Sequence, residues 1–349
     1  MKVSLVVVCH RSSEVLPECL ASFRREAAAA GVEAEVVAVE QSEDATELAQ
    51  IEEAGVDQLL ERPNRGYAAG LNAGLAEATG EVLLLANPDI LFFRGSLDAF
   101  LHGLRQGFDV VGPQFVWNDE ATVLLPAAED PAPRAELGRT LRRGWRWAWS
   151  AGLGRSLDEN WRVWTARDPL AVPGLRGAVL AASREAMGRF GPFDEGYFLY
   201  YEETEWLWRV RLQGGRLGLT PGARVLHRWG HATQHRDDAV EHEEKSRERF
   251  FERNYSGPWR ALLGAFAADS GRLPFAAASL TNAAEVPERE ADLWLASPFP
   301  HLMPASGMVR SRGFPSSFLE FCRERRWYLM AADRDHRGWR ITGAWAWGP

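Results

Sequence analysis

Along the first third of the chain, short apolar runs alternate with amphipathic stretches. Val3 to Cys9 is almost wholly apolar and reads as a buried parallel strand. Leu16, Cys19, Leu20 and Phe23 fall at i, i+3, i+4 and i+7, the mark of a helix that Ser12 or Ser13 can cap. Val36 to Glu40 predicts a second strand, followed by a helix to about Gly55 and a short strand near Leu59. Such alternation predicts an α/β fold built on a doubly wound, mostly parallel sheet. Phe108 to Val116 predicts a further strand, at a sheet edge or bulged at Gly112-Pro113. Arg216–Thr220 and Arg224–Arg228 read as two short strands, and 240–253 as a helix. Near the end, aromatic runs flank the polar turn Asp335–Gly338, which predicts a β-hairpin in a small β-rich C-terminal appendage.

Length changes the picture first. At 349 residues the chain exceeds one typical core, so a large domain over about 1–262 and a smaller one over 263–349 are expected. A Trp/Arg-rich insertion, about 118–170, is placed inside the first. A formal net charge of −8 argues against nucleic-acid binding and gives an anionic substrate no help from the overall field. The three cysteines, Cys9, Cys19 and Cys322, have no metal-binding spacing and leave one unpaired, which fits a reducing cytoplasm. Val3–Cys9 is too short for a signal peptide, and no run has the roughly 18 apolar residues of a membrane span. The expected location is cytoplasmic, with peripheral contact at the inner membrane face left open.

Candidate chemistry gathers in two stretches. Asn64 to Asp89 contains a turn at Gly66, a helix with the small residues Ala68, Ala69, Ala73 and Gly74, and a stop at Gly80 where φ > 0 is often needed. The buried strand Val82–Ala86 follows, left through Asn87-Pro88-Asp89. Open α/β sheets bind ligands at that carboxyl edge, and a carboxylate there suits a hard divalent cation. Asp89 could equally cap the next turn. The second stretch holds the loop Leu175-Arg176-Gly177-Ala178, then Gly191-Pro192-Phe193-Asp194-Glu195, then Tyr200-Tyr201-Glu202-Glu203-Thr204-Glu205. Burial would lift a carboxyl of this cluster toward the range of a general base; an exposed acidic helix start would account for it too.

The run Asn64-Arg-Gly-Tyr-Ala-Ala-Gly-Leu-Asn72-Ala-Gly, leading to a strand and Asn87-Pro-Asp89, closely resembles the family-2 glycosyltransferases, among them rhamnosyltransferase-like members. The resemblance covers about residues 1–257 and implies a GT-A fold. It implies donor binding by Asn64, Gly66, Asn72, Asn87 and Asp89, and by Gly177 and Ala178 in a loop beneath the donor sugar. His10 and Glu40 stand where the family usually has Asn and a base-holding Asp; Glu40 could still accept from the imide N–H of uracil or thymine. By the same resemblance Glu203 is the catalytic base with Glu202 beside it, both Glu203 and Glu205 standing where Asp is usual. The resemblance also implies Asp89 and His227, the latter in Val225-Leu226-His227, as the metal ligands for Mg²⁺ or Mn²⁺, with His231 and His235 as weaker candidates.

The implied activity is metal-dependent, inverting and, without the Gln-x-x-Arg-Trp motif, non-processive transfer from a nucleotide-diphosphate sugar, UDP- or dTDP-linked, to a glycan or lipid-linked acceptor in polysaccharide biosynthesis. A catalytically silent sugar- or nucleotide-binding protein of the same fold is the first alternative, and a nucleotidyltransferase the second. The latter lacks support because no glycine- and lysine-rich loop occurs in Val6–Arg24. For the acceptor, Asp194, Glu205, Trp145, Trp147 and Trp149 are candidates. The tryptophans lie among Arg142, Arg143 and Arg146 and could stack on sugar, meet lipid or fill a local core.

Overall fold

The structure is a computed structural model that describes residues 1–227, 239–266, 276–280, 285–322 and 326–347. The elements begin with β1 (Lys2–Cys9), α1 (Leu16–Ala29), β2 (Glu33–Glu40), α2 (Ala45–Glu53), β3 (Gln58–Glu61), α3 (Tyr67–Glu77), β4 (Val82–Ala86) and β5 (Ile90–Phe92). Next come α4 (Ser96–Arg105), β6 (Val110–Val116), α5 (Pro133–Gly144), α6 (Arg146–Trp164), β7 (Leu170–Ala171), β8 (Val179–Ser183), α7 (Arg184–Phe190), α8 (Glu202–Leu212) and β9 (Leu217–His227). The remainder is α9 (Ala239–Asn254), α10 (Gly257–Ala265), β10 (Ala278–Leu280), β11 (Ala291–Ser297), β12 (Ser306–Ser311), α11 (Ser316–Phe321), β13 (Trp327–Asp335) and β14 (Gly338–Trp347).

These elements form two compact units, Met1–Phe115 with Arg167–Tyr255, and Val116–Ala166 with Ser256–Pro349. The first is built on a sheet of order β3-β2-β1-β4-β8-β6-β9-β5, with β7 on β9. β3, β2, β1 and β4 run parallel, and β8 enters antiparallel beside β4. Val6 and Val8 of β1 meet α3, where the absent side chains of Gly74 and Gly70 let the helix sit close: a Cβ on Gly70 would stand 2.6 Å from Val8 Cγ1. Alternation sends Leu5 and Val7 to the opposite face, and both are fully buried as well. Burial on both faces explains why β1 and β4 are continuous apolar runs.

Several local expectations change. Ser12 and Ser13 do not cap α1 through their side chains; the Ser12 carbonyl accepts from Val15 and Leu16, and the Ser13 hydroxyl turns to Glu47. Gly80 does not end α3 with a positive φ, since the helix closes at Glu77. It is needed because Ser4 lies against it, and its N–H donates to Ser4 Oγ at 2.7 Å. β6 lies inside the sheet between β8 and β9, and its ladder with β8 involves Val110 and Val111, ahead of Pro113. The two strands expected over 216–228 are one strand, β9, and Arg228 lies outside the described residues.

The second unit carries a sheet of order β10-β14-β13-β11-β12. The expected hairpin is present as β13 and β14, pairing Asp335 with Gly338. Trp294, Phe318, Leu329 and Trp347 fill its core, and Val123 joins them. Leu124 exchanges backbone hydrogen bonds with Gly307, Trp164 Nε1–H donates to the Leu125 carbonyl, and Trp149 Nε1–H donates to the His301 carbonyl at 2.8 Å. The segment expected as an insertion in the catalytic domain therefore stands, over Val116–Ala166, in the second unit. Its tryptophans divide: Trp149 is 4% exposed, whereas Trp145 and Trp147 are 45% and 64% exposed. Trp149→Ala is expected to cost about 3–5 kcal/mol in denaturant unfolding, and Trp147→Ala no more than about 0.5 kcal/mol. Equal losses would remove Trp149 from the core.

Candidate active site

The site is assembled at the carboxyl edge of the first sheet. β4 ends at Ala86, and the chain passes through Asn87 and Asp89 before β5 pairs antiparallel with β9. That pairing sets Ile90 opposite His227, so the imidazole lands beside the carboxylate: His227 Nε2 is 3.4 Å from Asp89 Oδ1. Asp89 is 4% exposed, and its Oδ1 has no hydrogen-bond partner. The Asn87 N–H donates to the Ala178 carbonyl at 2.9 Å, which ties the Asn87-Pro88-Asp89 run to the loop ahead of β8. Tyr67 donates its hydroxyl to Asn87 Oδ1 at 2.9 Å. Burial, then the charges of Glu202, Glu203 and Asp89, hold the Tyr67 phenol well above its ordinary value, so it serves as a donor.

Two consecutive tyrosines, Tyr200 and Tyr201, both at φ 65°, lead into α8. Left-handed geometry at non-glycine residues costs on the order of 1–3 kcal/mol each and persists where surrounding structure enforces it. Here it turns the first residues of α8 inward. Glu202 is 5% exposed, and its Oε2 and that of Glu203 are buried without hydrogen-bond partners. Burial, joined by the Glu203 charge, pushes Glu202 well up. Burial also raises Glu203, against backbone N–H groups of its own helix start and the nearby Arg176 guanidinium, which lower it.

Gly177 has a different partner from the one expected. A Cβ there would stand 2.7 Å from Glu203 Cδ, so the open space above this glycine is taken by the Glu203 side chain itself. Gly66, at φ 98°, is likewise required by protein: a Cβ would lie 2.7 Å from Phe198 Cα, and the Tyr67 N–H donates to the Phe198 carbonyl at 2.8 Å. Asn64 Oδ1 accepts from the Gly66 N–H and closes that turn. Asn72 clamps the 191–196 loop, donating to the Phe193 carbonyl and accepting from the Phe193 N–H. Its amide is committed to that loop.

Asp194 and Glu205, sequence candidates for the acceptor, are engaged in ion pairs. Arg249 Nη2 lies 3.1 Å from Asp194 Oδ2. Burial acts to raise Asp194, but the Gly196 N–H and Arg249 outweigh it and leave the carboxyl below its usual range. Glu205 holds Arg209 at 3.0 Å, and Arg209 donates onward to the Phe190 and Pro192 carbonyls. Both acids fasten loops. Trp145, Trp147 and Trp149 belong to the other unit, and Trp149 is core.

At the β1 and β2 ends, Cys9 pairs in register with Glu40, which brings His10 and Glu40 to the same edge. Glu40 is 1% exposed; Oε1 accepts from the Ser42 N–H, and Oε2 has no hydrogen-bond partner. Burial raises its carboxyl. His231 and His235 lie outside the described residues. Tyr67 and Arg176 sit inside the two motif stretches without a signal of their own, and only the fold brings them to Asn87 and Glu203.

Asp89 and His227 can supply two protein donors to a divalent cation. Among the described residues no cluster of three or more His, Cys, Asp or Glu side chains is arranged to hold a metal. A hard cation bound here would complete its shell with substrate oxygens and water, as Mg²⁺ does on one or two carboxylates. The orphaned buried Oδ1 of Asp89 fits such a role.

Comparison with known proteins bears on the family. The glycosyl transferase family 2 profile matches residues 4–160. An N-acetylglucosaminyl-diphospho-decaprenol L-rhamnosyltransferase of Mycobacterium tuberculosis is 31% identical over 227 residues, 57% of this chain and 68% of that protein. A low-salt glycan biosynthesis hexosyltransferase of Haloferax volcanii is 25% identical over 170 residues, 47% of this chain and 49% of that protein. A Pyrobaculum calidifontis mannosyltransferase, solved with GDP-Man and Mn²⁺, has 18% identity and a TM-score of 0.48 over 76% of this chain and 68% of its own. On the family profile and the extent of the rhamnosyltransferase match, this chain belongs to glycosyl transferase family 2.

Proposed function

We propose that the chain is an inverting, non-processive glycosyltransferase that moves one sugar from a nucleotide-diphosphate donor to a hydroxyl of a lipid-linked glycan. The observation that carries this reading is the buried Glu202–Glu203 pair, with the Glu203 side chain over Gly177, in the unit whose sheet presents Asp89 and His227 at its edge. Two adjacent buried carboxyls disfavour a second negative charge, so the pair divides its roles. Glu202, the more buried, holds a proton. Glu203, partly exposed and beside Arg176, is the carboxylate that takes the proton from the acceptor hydroxyl as its oxygen attacks the anomeric carbon.

Asp89 and His227 would hold Mg²⁺ or Mn²⁺. When bound, such a cation neutralises the charge that develops on the departing diphosphate. Asn87 keeps Asp89 in place through its bonds to Tyr67 and Ala178. At the other end of the donor, the orphaned Glu40 Oε2 is suited to the imide N–H of uracil or thymine, with His10 beside it, which favours UDP- or dTDP-linked donors.

The relative's name describes addition of rhamnose to a decaprenol-linked diphospho-sugar. The test is to supply the full chain with a panel of UDP- and dTDP-sugars, Mn²⁺ and a polyprenyl-diphosphate-linked N-acetylglucosamine. A product longer by one sugar, with no ladder, is expected from at least one donor. Donor binding with neither transfer nor slow hydrolysis across the panel would return the protein to the silent-binder reading.

A further inference from the structure

We propose that the corner between α5 and α6, where Arg142, Arg143 and Arg146 surround the exposed Trp145 and Trp147, docks the second unit on an anionic lipid bilayer. The chain has 15 tryptophans, and among the described residues these two alone are exposed. Water gains nothing from indoles held outward, whereas a bilayer interface accepts their apolar body and hydrogen-bonds their N–H.

Charge narrows the partner. From Leu137 to Leu157 the chain carries five arginines and no acid, in a protein of net charge −8. Arg139 is neutralised locally by Glu129 and Glu136. Arg142 stands differently: it lines a small cavity with Glu129, Arg139, Arg143, His301 and Met303, and its buried Nε has no hydrogen-bond partner. Arg146, between the two tryptophans in sequence, is exposed. A sugar-stacking platform would pair its aromatics with carboxylates or amides to meet hydroxyls, and the exposed run Trp145-Arg146-Trp147 contains neither. α6 turns its other face inward, where Ala148, Trp149 and Gly152 are buried, so the corner is held by the unit's core. Among the described residues no helix is long and apolar enough to cross a membrane, so attachment here is at the surface.

The inference goes beyond the transfer reading and fails separately from it, because it is read without donor or acceptor. The full chain is sedimented with vesicles of phosphatidylcholine alone or mixed with phosphatidylglycerol, at low and high salt. Pelleting is expected with the mixed vesicles only and is released by salt. A cation near an anionic surface contributes about a fivefold factor in partitioning, so Arg143→Ala/Arg146→Ala should bind roughly 30-fold more weakly. Trp145→Ala/Trp147→Ala should lose about tenfold from the area its indoles no longer bury. Thermal melting guards against misfolding, and all four side chains lie outside the unit's core. Failure of the wild type to pellet, equal pelleting on both vesicle types, or folded variants that bind like wild type would overturn the proposal. So would loss of soluble-oligosaccharide binding in the tryptophan variant without vesicle binding in the wild type.

Discussion

Glu203→Gln is expected to lower kcat by about 100-fold or more and to leave donor affinity unchanged. The substitution keeps the shape that fills the space over Gly177 and removes the basic oxygen. Glu202→Gln should cost less, since a protonated carboxyl is mimicked by an amide. The pH profile follows from burial. The Glu203 carboxyl is raised, so turnover should rise with pH through that raised value, above the ordinary carboxylate range. Stability runs the other way. A carboxyl raised in the fold binds its proton more tightly there than in the unfolded chain, so the metal-free protein is favoured in acid. That advantage is lost as pH rises through the folded values of Glu202 and Glu203. Glu203→Gln should therefore melt above wild type at neutral pH and gain nothing in acid. Near-normal turnover in this variant would place the base elsewhere, and an unchanged melting profile would deny the pair its buried charge.

Asp89→Ala is expected to weaken nucleoside-diphosphate binding in Mn²⁺ at least tenfold, about 1.4 kcal/mol or more. The chain's net charge of −8 repels the diphosphate, and the buried Oδ1 facing His227 is the place where a cation would reverse that. Wild-type affinity should fall in EDTA, while Asp89→Ala should be insensitive to it. Asp89→Asn, which preserves packing at this buried position, separates lost ligation from lost structure. His227→Ala should have the smaller effect of a neutral ligand. Equal wild-type affinity in EDTA and in Mn²⁺ would end the metal reading.

Strands β1, β2 and β4 were legible as short, largely apolar runs, and β1, β2 and β3 are each followed by a helix, so local pattern and global fold agree. Asp89 and Glu203 were legible because a long run of spaced residues surrounds them. His227 was legible only as part of a short motif. Its meeting with Asp89 depends on the antiparallel register that pairs it with Ile90.

Glycine is where local reading reached its limit. Sequence gives the need for a missing side chain at Gly66, Gly80 and Gly177, but the neighbour that requires it comes from far along the chain: Phe198, Ser4 and Glu203. Acids and tryptophans behave the same way. Asp194 and Glu205 look like Glu203 in sequence and differ in being held in ion pairs, with Arg249 and Arg209. Trp149 differs from Trp147 in a carbonyl at His301, 152 residues away. The chain's own pattern thus determined the parallel half of the sheet and the edge that carries the candidate site, because strand alternation, turn glycines and helix period are local properties. Only tertiary structure decided which carboxylates are buried without partners and that Val116–Ala166 shares a core with the C-terminal sheet. Those outcomes are contact energies between distant segments, and side-chain identity alone does not encode which distant segment will meet it.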